Sequence, residues 1–341
     1  MRIIACIALL HAGIALAQNS VIAPAEHRRG AEQTFLTYPE WFLVHSPAEY
    51  AAYVRDHTPT LFPFFGHIRQ FWQGYGAVYS ATRKDYPFNF GYHVMVMVIG
   101  TSTTAEYALR AAYETLIGRL GELTATHGLT DEDRYAAAVA QDYVDFIRID
   151  PWYEYDFAAK LRGVWRETPL WGPGALRKWE RKYALGTEYI VKGVYGWLIK
   201  KATKASYDAP LPVTAVVVDR LPAGIEKELP ELKVVQPLEG DAKLVLVPRY
   251  QAFTRYASAL AARGSNFEEI AGNRSVILVT ALVPQAWKEE VLFSQPILTQ
   301  PGTKRVALVV PWHRSRPRST DSPLPARNSS TSTITNEEMV F

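Results

Sequence analysis

The fold depends most on residues 152–207, WYEYDFAAKLRGVWRETPLWGPGALRKWERKYALGTEYIVKGVYGWLIKKATKASY. Between residues 158 and 204 this stretch carries eleven lysines and arginines against three glutamates. That is a local excess of +8 (eleven minus three) in a chain of net charge +3. A segment that is both basic and aromatic predicts a surface that meets a partner. Five of the nine tryptophans of the chain lie here: Trp152, Trp165, Trp171, Trp179 and Trp197.

The second half of the stretch, from Gly174 to Lys204, predicts one amphipathic helix. At 100° per residue, its apolar and aromatic side chains fall within one stripe, and its basic side chains fall on the opposite side. Pro173 suits a helix start, whereas three glycines inside the helix weaken it and allow another backbone to come close. The stripe contains Leu176, Trp179, Tyr183, Ile190, Val194 and Trp197, and the opposite side contains Arg177, Lys178, Arg181, Lys182 and Lys192.

Two interpretations of this helix stay open. A basic face opposite a Trp/Tyr/Ile face is the pattern of an interfacial helix on a membrane surface or on anionic lipid. Alternatively, the apolar stripe packs on the protein's own core and the basic side is solvated, as in surface helices of globular proteins. On the membrane interpretation the contacting residues are Arg177, Lys178, Trp179, Arg181, Lys182, Tyr183, Lys192 and Trp197.

Residues 1–17 have the features of an export signal. The amino terminus is basic, an uncharged apolar run follows, and Ala15-Leu16-Ala17 is a small-x-small cleavage site. The run is shorter than the about 20 residues that span a bilayer, so cleavage before Gln18 is preferred to an uncleaved anchor.

Cysteine usage is consistent with export to a bacterial periplasm or cell envelope. Cys6 is the only cysteine and leaves with the signal, so the mature chain forms no disulfide and no thiolate metal site. An exported protein without cysteine fits that compartment better than a disulfide-stabilised secreted domain does. Residues 18–33 are polar and predict a linker.

Residues 34–208 predict a mainly helical, aromatic-rich domain. Pro39 opens a short helix, and Ser46 caps a second helix that ends near Arg55. Residues 61–82 predict a buried helix, because aromatic residues recur at three- and four-residue spacings around most of its circumference.

Residues 86–105 carry no formal charge and admit two structures. A β-branched run followed by a capping box at residues 103–106 indicates a buried strand and then a new helix. Length alone also permits a long membrane-embedded helix. From Ala105 to about Leu123 both alternatives predict a helix.

An acidic block directly precedes the basic stretch. Thr130 caps a helix that ends near Ile149, and residues 131–156 hold eight acids and two arginines, a local excess of −6. Such opposite blocks either fold against each other or face different partners.

Residues 209–311 predict a small α+β domain, and residues 312–341, rich in Ser, Thr and Pro, predict a disordered tail. Short apolar runs indicate strands, residues 250–262 a helix, and residues 271–274 a hairpin turn. The expected strands are residues 213–218, 232–235, 244–247, 276–283, 291–298 and 306–310.

No motif for nucleophilic catalysis, phosphate binding, zinc binding or dinucleotide binding is present in the sequence. Asp142 and Asp145 are spaced like a carboxylate pair, but the helical wheel places both on the solvated side. The Glu106, Arg110 and Glu114 spacing predicts a surface ladder, which contributes about 0.3–0.5 kcal/mol per pair.

Four polar residues in apolar sequence are the pocket candidates. Buried polar groups need hydrogen-bond partners, so these side chains either satisfy each other in the core, line a pocket or ligate a metal. No recognisable ligand spacing supports a metal site, and no cofactor is indicated. The candidates are Glu40, His67, Gln70 and His93.

These patterns favour an exported envelope protein associated with a membrane surface, a non-enzymatic accessory or a lipid- or apolar-ligand-binding protein. The alternative is an envelope enzyme, a hydrolase or a metal-assisted one, with a pocket around His67 and His93. A partner protein in the envelope is compatible with either function. Nucleic acid is not expected as a partner, because an exported protein rarely meets it and anionic lipid offers the same charge.

Overall fold

The computed structural model describes residues 20–23, 25–125, 128–206 and 211–311. Within these residues the chain is α+β, as predicted, with a helical amino-terminal part and two small antiparallel sheets towards the carboxyl end. The predicted signal sequence and the predicted disordered tail lie outside the described residues, so both stay predictions.

The helices are α1 Gln33–Val54, α2 Phe64–Thr82, α3 Phe90–Tyr113, α4 Asp131–Ile147, α5 Phe157–Glu167, α6 Ala175–Ser206 and α7 Gln251–Ala262. A π-helical segment Glu114–Gly118 and a helical turn Arg119–Glu122 prolong α3. Short turns occur at Ala25–His27, Pro59–Leu61, Trp152–Glu154 and Ile225–Glu228. The strands are β1 Val213–Val218, β2 Lys233–Pro237, β3 Lys243–Pro248, β4 Phe267–Ile270, β5 Val276–Pro284, β6 Phe293–Pro296 and β7 Thr303–Pro311.

Helix α1 is a single helix where two shorter ones were expected, and it contains both Pro39 and Pro47. The predicted cap at Ser46 is wrong, because this residue is buried inside the helix. Tertiary packing explains the difference. The Tyr38 ring lies 4.6 Å from the ring of Phe293, and contacts of this kind outweigh the local break that a proline favours.

Helix α3 replaces the expected strand, so the strand interpretation of residues 86–105 is wrong. Asn89 caps the helix by accepting a hydrogen bond from the backbone N–H of Tyr92. The capping box expected at residues 103–106 lies inside the helix, where the Ser102 hydroxyl donates to the carbonyl of Val98. Among the described residues, no helix is both long enough and apolar enough to cross a bilayer.

The first sheet has the strand order β2-β3-β1-β4 and is antiparallel throughout. Helix α7 packs on it, and together they enclose a hydrophobic core of their own that includes Val216, Val245, Tyr256 and Leu260. The alternating valines of β1 and β3 therefore bury one face against α7, as the predicted strands required.

The second sheet, in the order β5-β7-β6, packs on α1 and α2 instead. Leu278 of β5 and Ala307 of β7 share a core with Phe35, Phe42 and Phe71. The predicted tight turn at residues 271–274 is present, with left-handed backbone at Ala271 and Gly272, but it joins β4 of the first sheet to β5 of the second.

The described part of the expected linker is packed against the first sheet. Ile22 is fully buried beside Ala215, Val217 and Leu244. The Ser20 hydroxyl donates to the buried carboxylate of Glu269. Residues 20–22 are therefore held in place by the fold rather than serving as a loose connection.

Candidate functional site

Helix α6 has the predicted two faces, but their orientation is reversed. Arg177 and Lys182 are 0 % exposed, whereas Leu176 is 65 % and Tyr183 66 % exposed. Both interpretations of the basic side are therefore wrong: it faces neither lipid nor solvent. Of the predicted contact residues, Arg177, Lys178, Arg181 and Lys182 are buried, Lys192 is half-buried, and Trp179, Tyr183 and Trp197 are exposed.

The acidic block buries the basic side of α6. Thr130 and Asp133 form the predicted capping box at the start of α4, which places three acidic side chains of the first turn beside α6. Arg177 lies 3.2 Å from Asp133, and Lys178 lies 2.6 Å from Asp131. Lys182 lies 3.0 Å from Glu132, and both of these side chains are fully buried. The two opposite blocks therefore fold against each other.

Helix α3 lies antiparallel to α6 along a second row of polar contacts, here called the seam. The hydroxyls of Ser102 and Tyr195 are 2.9 Å apart, Lys192 Nζ lies 2.9 Å from Glu106, and Arg110 lies 3.7 Å from Glu188. The seam continues with Arg181, which donates to both oxygens of Glu114 at 2.9 and 3.1 Å, and with Arg177, which donates to the carbonyl of Gly118.

The predicted surface ladder of Glu106, Arg110 and Glu114 is thus wrong in its partners. Only Glu106 and Arg110 pair within α3, at 3.6 Å, and the stronger contacts cross to α6. Burial would raise the pKa of Glu188, but Arg110 and Lys192 outweigh it and lower that pKa to about 2. Burial raises the pKa of Glu114, which Arg181 offsets only in part.

The exposed side of α6 carries no charge over most of its length. From Ala175 to Leu198, every residue of α6 that is exposed is uncharged, because the charged side chains point into the acidic block or the seam. The exposed residues are Leu176, Trp179, Tyr183, Thr187, Ile190, Val191, Val194, Trp197 and Leu198.

Three tryptophans from different elements meet at the start of this exposed side. The Trp165 ring of α5 lies 5.9 Å from that of Trp179, and the ring of Trp171, in the loop before α6, lies 5.8 Å from Trp179. Trp171 is 73 % exposed, and Leu170 beside it is also exposed. Tryptophan is enriched where an apolar and an aqueous phase meet, so this cluster is the most distinctive feature of the surface.

His67 belongs to a buried polar cluster in the helical core. Its Nδ1 lies 2.9 Å from the Ser46 hydroxyl, which lies 2.8 Å from the Tyr107 hydroxyl. Its Nε2 lies 3.7 Å from the Glu49 carboxylate. Burial lowers the pKa of His67 to about 3, so the imidazole is neutral at ordinary pH.

The other pocket candidates contact different residues. Gln70 donates to the carbonyl of Pro296 at 2.7 Å. His93 of α3 lies 2.8 Å from the Tyr75 hydroxyl and stacks on Phe88. Tyr75 is about two helical turns along α2 from His67. Glu40 is exposed on α1. The structure therefore places His67 and His93 in separate clusters.

The predicted solvated position of Asp142 and Asp145 is confirmed, since both side chains are exposed. Asp145 pairs with Arg148 of the same helix, whereas Asp142 accepts a hydrogen bond from Tyr155 at 2.6 Å and pairs with Lys160 at 2.8 Å. They do not form a carboxylate pair. In the described part of the chain, no three His, Cys, Asp or Glu side chains are grouped as a metal site requires.

A small cavity lies beside the seam, lined by Tyr50, Arg110, Glu114, Arg181 and Glu188 among others. Its volume of about 20 Å³ is enough for a water molecule, and its lining supplies the several polar partners that a buried water needs. The cavity is too small for a substrate, so the exposed apolar side of α6 is the stronger candidate for a functional surface.

Comparison with known proteins adds no independent constraint on this surface. No protein-family model, curated protein or solved structure matches the chain.

Proposed function

We propose that this chain is an exported cell-envelope protein that associates with a membrane surface as a non-enzymatic accessory or lipid-binding protein. One observation carries the proposal: α6 directs its charges inward to acidic partners and its large apolar side chains outward. A helix with apolar residues on its outer side needs an apolar environment there, and a lipid surface supplies one.

The exposed apolar side chains of α6 would contribute free energy to membrane binding. Transfer of a fully exposed valine, isoleucine or aromatic side chain out of water contributes about 1.5–3 kcal/mol. Ile190 is 54 % and Trp197 54 % exposed, so each can contribute roughly half of that amount. Several such residues together reach the range of reversible membrane binding.

Basic residues that the structure leaves exposed supply a second, weaker contribution. Lys201 extends over the ring of Trp197, 4.0 Å from its centroid, so its ammonium group lies at the border of the apolar surface. Arg119 and Arg166 are exposed next to apolar surface residues. Each cation near an anionic leaflet contributes on the order of 1 kcal/mol, so anionic lipid would strengthen binding.

The enzyme interpretation needs His67 and His93 to share a pocket, and the two side chains contact different residues. The buried, neutral His67 contacts the Ser46 hydroxyl through Nδ1, while its Nε2 has no hydrogen-bond partner among the described residues and lies 3.7 Å from the Glu49 carboxylate. The geometry therefore gives the enzyme interpretation no specific support.

Flotation with lipid vesicles tests the proposal. We expect the mature protein, from Gln18 onward, to float with neutral phosphatidylcholine vesicles at high salt, and more strongly when anionic phosphatidylglycerol is included at low salt. Replacing Val191 and Val194 together by serine removes exposed apolar surface and should weaken binding at least tenfold, since 1.4 kcal/mol corresponds to a factor of ten.

The matched control replaces Val234 and Val235 of β2 by serine, because these valines are similarly exposed but lie on the first sheet. This variant should bind vesicles like the wild type. A wild-type protein that floats with neither kind of vesicle would refute the proposal, and equal loss in both double variants would show that α6 is not the contacting element.

A further inference from the structure

Helix α3 carries a second uncharged exposed side, in a segment whose sequence permitted either a buried strand or a membrane-embedded helix and for which no individual contact residues were predicted. From Phe90 to Ile117, every exposed residue is uncharged, since Glu106, Arg110 and Glu114 point into the seam. Leu109 is 72 % exposed. The large apolar side chains exposed on this stretch are Phe90, Val94, Met95, Met97, Val98, Leu109, Leu116 and Ile117.

The exposed sides of α3 and α6 lie on the same side of the seam. On each helix, the exposed residues are centred about 120° of rotation away from the residues that face the partner helix. Because the helices are antiparallel, equal rotations on both turn the exposed residues to one common side. The Tyr113 and Tyr183 rings, 6.5 Å apart, contact each other across the seam.

The two sides together form one surface, here called the apolar face. At 1.5 Å per residue, residues 176–198 of α6 are about 33 Å long, and two adjacent helices make the face roughly 20 Å wide. Its area is then roughly 650 Å², which is above the about 300–600 Å² of the largest apolar patch on a typical monomer.

We propose that the apolar face of α3 and α6 is a bilayer-contact surface, on which the protein lies with both helix axes parallel to the membrane plane. This inference rests on the proposed function and deepens it. It assigns the partner, a phospholipid bilayer, and adds a second helix and an orientation. The ion pairs of the seam hold α3 and α6 side by side at the same height above the membrane. Both apolar sides therefore enter the boundary between head groups and acyl chains together.

Charge favours lipid over a second copy of the chain. Exposed Arg83, Lys84, Arg119, Arg166 and Lys201 border the apolar face in sequence, and Asp85 and Glu167 are the exposed acids beside them. This mainly basic border complements lipid phosphates, whereas it would repel the equally basic border of a second copy.

The area and the low polarity of the apolar face also favour a bilayer over a second copy of the chain. A standard protein interface buries about 800 Å² per partner and carries a hydrogen-bonding rim, whereas the apolar face offers less area and almost no polar group. A bilayer needs no hydrogen bonds from the buried surface, so it is the occupant that this face fits.

Charge insertion on α3 tests the inference. In the mature protein, from Gln18 onward, Leu109→Glu should weaken flotation with neutral vesicles at least tenfold, as much as Ile190→Glu does on α6. Val235→Glu, an equally drastic change at an exposed valine of β2, should bind as the wild type does. If wild type binds and Ile190→Glu weakens binding while Leu109→Glu does not, the two-helix face is refuted and the proposed function survives.

A depth measurement covers the case in which a charge variant fails to fold. Cys6 is the only cysteine and lies in the predicted signal, so the mature chain from Gln18 has no native cysteine and accepts single cysteine labels at Leu109, Leu176, Ile190 and Leu198. Spin-labelled lipids should quench a fluorophore at each of these sites to the same extent, within about a factor of two, which would show that all four sites lie at the same depth. If the label at Ile190 is quenched but the label at Leu109 is not, α3 does not contact the bilayer. If the label at Ile190 is quenched much more strongly than those at Leu176 and Leu198, α6 does not lie parallel to the membrane plane. Either result would overturn the flat two-helix orientation.

Two further outcomes distinguish failure of the proposed function from failure of the lipid assignment alone. Absence of both flotation and quenching would remove the proposed function together with this inference. A lipid-free dimer by sedimentation equilibrium, dissociated by Leu109→Glu, would assign the face to a second copy and overturn the lipid assignment alone.

Discussion

The orientation of α6 is set by individual buried charges. Arg177 and Lys182 have no exposed surface, and their partners Asp133 and Glu132 are buried too. The penalty for burying an ion remains several kcal/mol even after relaxation, and a missing partner adds more. Turning α6 by half a revolution would bury its apolar side but leave these carboxylates unpaired. The ion pairs therefore outweigh burial of the apolar stripe.

Removing one half-buried charge of the seam should show how much such ion pairs contribute to stability. Glu188→Gln leaves Arg110 and Lys192 without one of their acidic partners, so we expect a loss of about 3 kcal/mol in the free energy of unfolding at pH 7. Equilibrium denaturation measures it. Glu226→Gln, at an exposed position, serves as the control and should change stability by less than about 0.5 kcal/mol.

The stability difference between wild type and Glu188→Gln should depend on pH. Burial raises the pKa of Glu188, but the two neighbouring cations lower it from 4.5 to about 2. The stability that this ionised group contributes is therefore complete above pH 4.5 and is lost as pH falls towards 2. The difference between wild type and Glu188→Gln should shrink across that window, and a difference that stays constant from pH 7 to 2 would contradict the assignment.

At the scale of elements, two helical glycines should respond oppositely to the same substitution. A Cβ on Gly100 of α3 would lie 2.4 Å from a ring carbon of Phe71, whereas one on Gly196 of α6 would meet Tyr153 backbone at an ordinary 3.5 Å. Gly100→Ala should therefore destabilise the protein by about 1–3 kcal/mol. Gly196→Ala should stabilise it by up to about 1 kcal/mol through helix propensity. Thermal unfolding of the pair tests this, and a stabilising Gly100→Ala would disprove the close packing of α2 on α3.

Local signals predicted many of the elements. The Thr130 capping box starts α4, and the apolar run at residues 213–218 coincides with β1, because both depend on neighbours in sequence. Helix α1 was predicted as two shorter helices, because the sequence does not show that packing outweighs its prolines. The site was predicted in part: periodicity identifies which residues of α6 share a side, but burial of that side depends on carboxylates that are distant in sequence, such as Glu114.

At the scale of the whole molecule, the two sheets have different neighbours. The first sheet and α7 close a core of their own, while β5, β6 and β7 share the core of α1 and α2. The Gln295 side chain donates to the Gln70 carbonyl and accepts from the Tyr38 hydroxyl, so polar contacts also join β6 to both helices. The chain thus leaves the helical part after α6, builds the first sheet, and returns.

Limited proteolysis tests whether the second sheet completes the core of the helical part. We expect the segment after β7 to be removed first and the next cleavage to fall near residues 205–212, between α6 and β1. Because β5–β7 remain packed on α1 and α2, the two fragments of the cleaved chain should stay together in native buffer and separate only in denaturant. Size-exclusion chromatography followed by mass spectrometry distinguishes the outcomes. Fragments that separate without denaturant would mean that the second sheet does not complete the helical core, and early cleavage inside residues 276–310 would argue against its strands.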